Sequence, residues 1–112
     1  MLLTALRYSH QLLKEIVNEG DHVIDATMGN GNDTLFLAEL VGTTGLVYAF
    51  DIQEQALQNT RDKISDYSER TTLYLAGHET IEEKISADQP IKAAIFNLGY
   101  LPKSDKQIVT LP

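Results

Sequence analysis

Apolar positions along this chain switch between helical and strand spacing, and the switches order most of its elements. Leu6, Leu13, Ile16 and Val17, with Leu3 and Leu12 near the same side, recur at helical spacing, and Gly20 stops that first helix. A first strand is expected over about His22 to Ala26, followed by a helix from about Asp33 to Leu40. Gly42-Thr43-Thr44-Gly45 is a turn by composition, and a second strand runs from Leu46 to Asp51. The next helix spans about Glu54 to Tyr67, with Ala56, Leu57, Ile64 and Tyr67 facing a sheet. A third strand covers Thr71 to Leu75, a short helix Ile81 to Ile85, and a fourth strand Ile91 to Asn97 after Pro90.

Strands that alternate with helices predict right-handed βαβ crossovers and a parallel sheet, hence a Rossmann-like α/β fold. Ligands of such sheets sit beyond the carboxyl ends of the strands, at the switch point. Asp25, Asp51, Gly77 and Asn97 all fall at that rim, one at the end of each strand. After Asn97 the pattern gives no further element, and Ile108 to Pro112 reads as a short apolar tail. A doubly wound sheet ordinarily continues past its switch point, so C-terminal strands are expected to be missing. The fourth strand would then present an unpaired edge and an uncovered face, which predicts homodimerisation through that edge or the C-terminal segment.

The 112 residues make one domain, 1–112, and 43% hydrophobic with 22% charged content suits a folded chain. There is no cysteine, which excludes disulfides and thiolate metal sites and fits a reducing compartment. Arg7, His10, Lys14 and Glu15 interrupt the N-terminal apolar positions, so no membrane span or signal peptide is expected and the location reads as cytoplasmic. The formal charge of −7 opposes nucleic-acid binding. On charge alone a small-molecule enzyme with a solvated acidic surface is favoured. A nucleic-acid enzyme would need basic residues concentrated locally or supplied by other sequence.

The chemistry concentrates at Asp25-Ala26-Thr27-Met28-Gly29-Asn30-Gly31-Asn32-Asp33-Thr34. Glycines allow a tight turn and a close approach to a ligand, and the following helix offers unpaired N–H groups. Asp51 lies 22 positions after Gly29, near the ~20-residue spacing at which a carboxylate meets a ribose hydroxyl in nucleotide-binding units. A nucleoside-containing cofactor is therefore expected. The competing reading makes Asp25 and Asp33 turn and helix caps, and Asp51 a strand-end turn residue.

The loop at 25–34, together with Asn97-Leu98-Gly99-Tyr100-Leu101-Pro102 and the opening Tyr8-Ser9-His10-Gln11-Leu12-Leu13, resembles a small family of class I S-adenosylmethionine-dependent methyltransferases. The family has been labelled as rRNA methylases and includes the YtqB/MnmM type, which methylates the aminomethyl group on the wobble uridine of certain tRNAs. The resemblance covers essentially this whole chain and the N-terminal part of a typical member. It departs at Lys103-Ser104, where the family often has two glycines.

The resemblance implies S-adenosyl-L-methionine as cofactor and an RNA substrate, tRNA foremost. Thr27, Gly29, Asn30, Gly31, Asn32, Asp33 and Thr34, with Asp25, would surround the methionine part, and His10 would touch its carboxylate. Asp51 would bind the ribose hydroxyls, Ile52 would pack on the adenine with Gln53 close by, and Gly77, His78 and Glu79 would lie beside it. Asn97-Leu98-Gly99-Tyr100 resembles the Asn/Asp-Pro-Pro-Tyr loop of methyltransferases acting on amino nitrogens. Asn97 and the Leu98 carbonyl would hold the amine, and Tyr100 would stack on the base. Alternatives stand beside these roles: a partly buried helical His10, an exposed loop His78, and a plain turn at 97–102. No metal is implied, since no second ligand is spaced to help His78.

Two rival functions follow. A nicotinamide-dependent oxidoreductase needs Gly-x-Gly-x-x-Gly against the strand end, but Thr34 stands at the third glycine position and Asp25 precedes the loop. A non-catalytic cofactor-binding or oligomerisation module would bind the cofactor without turnover.

Overall fold

The computed structural model describes residues 6–85, 90–97 and 106–110, with the backbone alone at 6–9, 78, 97, 106 and 107. Four strands form the expected parallel run: β1 (His22–Asp25), β2 (Leu46–Asp51), β3 (Thr71–Leu75) and β4 (Ile91–Asn97). Between them lie α2 (Asn32–Val41), α3 (Glu54–Lys63) and α4 (Ile81–Lys84), and α1 (Leu6–Ile16) precedes β1. A fifth strand, β5 (Lys106–Thr110), completes the order β3-β2-β1-β4-β5. The chain crosses from β3 back over β2 and β1 to β4, so the switch point lies between β1 and β4.

Both faces of the sheet are apolar, as a parallel sheet requires. Val23, Val47 and Ile95 point to one face, where Leu13 of α1, Val17 just beyond it, and Leu37, Ala38 and Val41 of α2 cover them. Met28, Ala49 and Leu57 make a smaller cluster with Leu73 under α3. Ile24, Tyr48, Phe50 and Ala94 point to the other face and meet Ile85 and Ile81. This alternation follows from the period of two along a strand. Burial, with a smaller effect of the neighbouring Tyr74 phenol, raises the Tyr48 phenol above its ordinary 10.0. Among the described residues no helix is long and apolar enough to cross a membrane.

Two expectations need correction. The inner strand β4 does not present a bare edge, because β5 pairs with it antiparallel, Ile95 opposite Ile108 and Asn97 opposite Lys106. An antiparallel neighbour needs only a loop to return, whereas a parallel one needs a crossover helix. The tail taken as outside the fold thus carries a strand. The second correction concerns the helix expected over Glu54–Tyr67, which stops at Lys63 and continues as a 3₁₀ turn, Ser65–Arg70. Tyr67, at φ −122°, has left helical geometry. Its ring still packs beside the α1/α2 core, so apolar spacing persists through the break.

Ile108 is 8% exposed and joins the core formed by α1 and α2. Ile108→Ala should lower the unfolding free energy by about 2–4 kcal/mol through transfer and cavity terms. Denaturant unfolding measures this, and wild-type stability would remove β5 from the cooperative core.

Candidate functional site: a cavity at the carboxyl ends of the strands

A cavity of about 250 Å³ opens at the carboxyl ends of β1, β2 and β3, lined by Ala26, Thr27, Asp51, Ile52, Ala76, Gly77 and Glu79. Ile52 is 74% exposed, an apolar side chain held in water at the cavity wall. Such a side chain offers a surface to a planar ring. Asp51 accepts hydrogen bonds from the Gly29 N–H at Oδ2, 3.1 Å, and from the Gln53 N–H at Oδ1, 2.9 Å. A carboxylate has about four acceptor positions, so these two bonds leave room for ligand hydroxyls. Beside it, a Cβ built on Gly77 would collide with the Glu79 carboxylate, which lies over that glycine.

The loop between β1 and α2 depends on two glycines in left-handed conformations, Gly29 at φ 53° and Gly31 at φ 89°. Gly31 is also the N-cap of α2 and offers no side-chain cap. The first turn of α2 carries its own anion, Asp33, whose Oδ1 lies 2.8 Å from His10 Nε2. The His10 ring stacks on Phe36 with centroids 3.9 Å apart. Asp25 is 1% exposed and accepts from the Thr34 hydroxyl at 2.7 Å and from the Thr27 N–H at 3.3 Å. In the dinucleotide fingerprint a glycine at the Thr34 position lets helix and strand close up. Here a buried hydroxyl bond joins them instead.

The residues anticipated from the sequence therefore separate into groups. Thr27, Asp51, Ile52, Gly77 and Glu79 meet at the cavity, and Gln53 supports Asp51 through its amide. Asp25, Gly29, Gly31, Asp33 and Thr34 build the frame of the loop, and His10 holds Asp33. Asn30 and Asn32 turn toward α3: Asn30 lines an open groove of about 420 Å³ with Asn59, Asp62 and Lys63, and Asn32 Oδ1 accepts from Lys63 Nζ at 2.6 Å. Asn97 closes β4, two residues beyond Ile95, the register partner of Asp25. The side chains of Asn97 and His78, and all of Leu98 and Tyr100, lie outside the described residues. Among the described residues no group of three or more His, Asp or Glu could hold a metal ion.

One residue at the loop escaped the sequence reading. Thr60 of α3 is 0% exposed and donates its hydroxyl to the Gly29 carbonyl at 3.3 Å. The available signal was a hydroxyl in step with Leu57 and Ile64 on the buried face of α3.

A largely parallel sheet, a glycine turn after β1 and a carboxylate at the end of β2 beside a cavity define a Rossmann-like domain with the class I methyltransferase fold. Residues 47–112 match the family described as "Putative rRNA methylase", and this chain belongs to that family. Its structure is similar to a "putative rRNA-methylase" of Clostridium thermocellum at 50% identity and TM-score 0.81, over 94% of this chain and 56% of that one. A "putative methyltransferase" of Streptococcus mutans, solved in complex with SAH, is 46% identical with TM-score 0.75, over 93% and 57% of the two chains. The chloroplastic tRNA (mnm5s2U34)-methyltransferase of Arabidopsis thaliana is 37% identical over 96% of this chain and 43% of its own length. The chain thus spans about half the length of the relatives it matches.

Gly31 combines a left-handed φ with a tight approach, since a Cβ there would stand 2.9 Å from Thr60 Cα. Gly31→Ala should cost about 1–3 kcal/mol through backbone strain alone. A thermal melt reads the loss, and an unshifted midpoint would contradict the geometry of this loop.

Proposed function

We propose that this chain is the cofactor-binding part of an S-adenosylmethionine-dependent methyltransferase acting on a nitrogen of an RNA. The favoured acceptor is the 5-aminomethyl group of a tRNA wobble uridine. In this reading residues 1–112 act as a single cofactor-binding domain. One observation carries it: Asp51 and Glu79 line the cavity, and no Lys, Arg or His does so among the described residues. S-Adenosylmethionine has a sulfonium and an ammonium against one carboxylate, so an acidic wall attracts it. A dinucleotide brings an anionic pyrophosphate, and the first turn of α2 that would receive it already carries the anionic Asp33. The SAH bound to the Streptococcus mutans relative and the tRNA in the Arabidopsis relative's name agree with this reading.

Each residue then has a chemical task. Asp51 accepts from the ribose hydroxyls while keeping its loop bonds, Ile52 packs on the adenine, and Gly77 with His78 and Glu79 borders the ring. The Asp25 to Thr34 loop, with His10 behind Asp33, encloses the methionine part. The cofactor supplies a methyl group on sulfonium. Asn97 and the Leu98 carbonyl accept the N–H bonds of the acceptor amine and aim its lone pair along the line of the breaking C–S bond. Tyr100 stacks on the target base, as aromatic side chains do on unpaired bases. The amine gains the methyl, SAH leaves, and the displaced proton passes to water.

Isothermal titration with S-adenosylmethionine, with NAD as control, tests the reading. Binding of the first alone is the expected result; NAD binding alone would reverse the assignment to an oxidoreductase. Cofactor binding without turnover, in a form as long as the relatives, would instead identify a binding module. Asp51→Ala should weaken S-adenosylmethionine binding by about 1–3 kcal/mol, the cost of one or two charged hydrogen bonds. An unchanged dissociation constant would sink the ribose assignment.

A further inference from the structure

Gly29 is held on both sides by side chains of different elements. Its N–H donates to Asp51 Oδ2 at the end of β2, 3.1 Å away, and its carbonyl accepts from Thr60 Oγ1 of α3 at 3.3 Å. Thr60 is 0% exposed, and the same side chain closes on the next glycine: a Cβ at Gly31 would stand 3.0 Å from Thr60 Oγ1. Burying a hydroxyl costs free energy unless it is bonded, and an apolar residue would fill this position on α3 without that demand. The hydroxyl therefore has a use beyond filling space. Gly29, at φ 53°, has no side chain of its own to fix its backbone, so the orientation of its two polar groups is set from outside.

We propose that Thr60 is a positioning residue for ligand binding, its hydroxyl fixing the Gly29 carbonyl so that the loop is held ready against Asp51. This rests on the proposed cofactor reading, in which the loop encloses the amino-acid end of S-adenosylmethionine. Adenosine reaches only the cavity and Asp51, which the Gln53 N–H still supports. Thr60 thus governs the part of the ligand that lies beyond the nucleoside.

The test compares Thr60→Val, which keeps the shape, with Thr60→Ser, which keeps the hydroxyl. In Thr60→Val without ligand, the Gly29 amide should exchange its hydrogen about threefold to tenfold faster, the worth of one neutral hydrogen bond. The dissociation constant for S-adenosylmethionine should rise by a similar factor, that for adenosine should stay unchanged, and Thr60→Ser should stay near wild type. Unchanged Gly29 exchange in Thr60→Val would overturn the assignment. So would equal losses for both ligands that simply track a lowered melting temperature, or a serine variant that behaves like the valine one. If the wild-type protein binds neither ligand, the cofactor reading fails, and the exchange measurement alone decides for or against Thr60.

Discussion

The hydrogen bond from the Gly29 amide to Asp51 is the constraint on which the binding region depends, because it ties the loop after β1 to the end of β2. Parallel pairing makes it available by setting Asp25 beside Ala49, so both strands deliver their next residues to the same rim. A parallel sheet buries both faces, which leaves its strand ends as the place where polar side chains can gather. From there the polar contacts spread in two directions. One runs from Thr27 through Asp25 to Thr34, whose neighbour Asp33 meets His10 on α1. The other runs from Gly29 to Thr60 on α3. The cavity walls are loops, yet each is braced by a helix or a strand, which is how an open-ended sheet holds a precise site on flexible connections.

What the amino-acid pattern discloses is what depends on short separations. The order of β1 to β4 follows from alternating periods, and the Asp25/Asp51 pair follows from the near-constant length of one βαβ unit. Contacts that arise from packing were hidden. Thr60 reaches Gly29 across 31 positions, and His10 reaches Asp33 across 23. Nothing near either residue in sequence signals its partner. β5 escaped because Lys106-Gln107-Ile108-Val109-Thr110 has no polar–apolar alternation, and its pairing with β4 is itself a tertiary contact. The end of α3 escaped for the opposite reason. Ile64 at 2% exposure and the packed Tyr67 maintain helical spacing past the true end, so periodicity runs on where the backbone has already turned.

Charge sets the remaining tension. A chain of net charge −7 is a poor partner for RNA at long range, yet its acidic cavity suits a cationic small ligand. Lys63 and Arg70 do not resolve this. Lys63 is bonded to Asn32, and Arg70 donates to the Ala38 carbonyl while lying over the Tyr67 ring at 4.8 Å. Lys63 is exposed beside the groove lined by Asn30, and Arg70 precedes β3, at the end of the sheet opposite the cavity. In the proposed reading an RNA acceptor relies on stacking and on hydrogen bonds to its unpaired base, which are short-ranged. One exposed lysine is a small share of the attraction a phosphate backbone calls for. In the proposed reading, cofactor selection and substrate attraction are thus separate electrostatic problems, and the acidic cavity bears on the first.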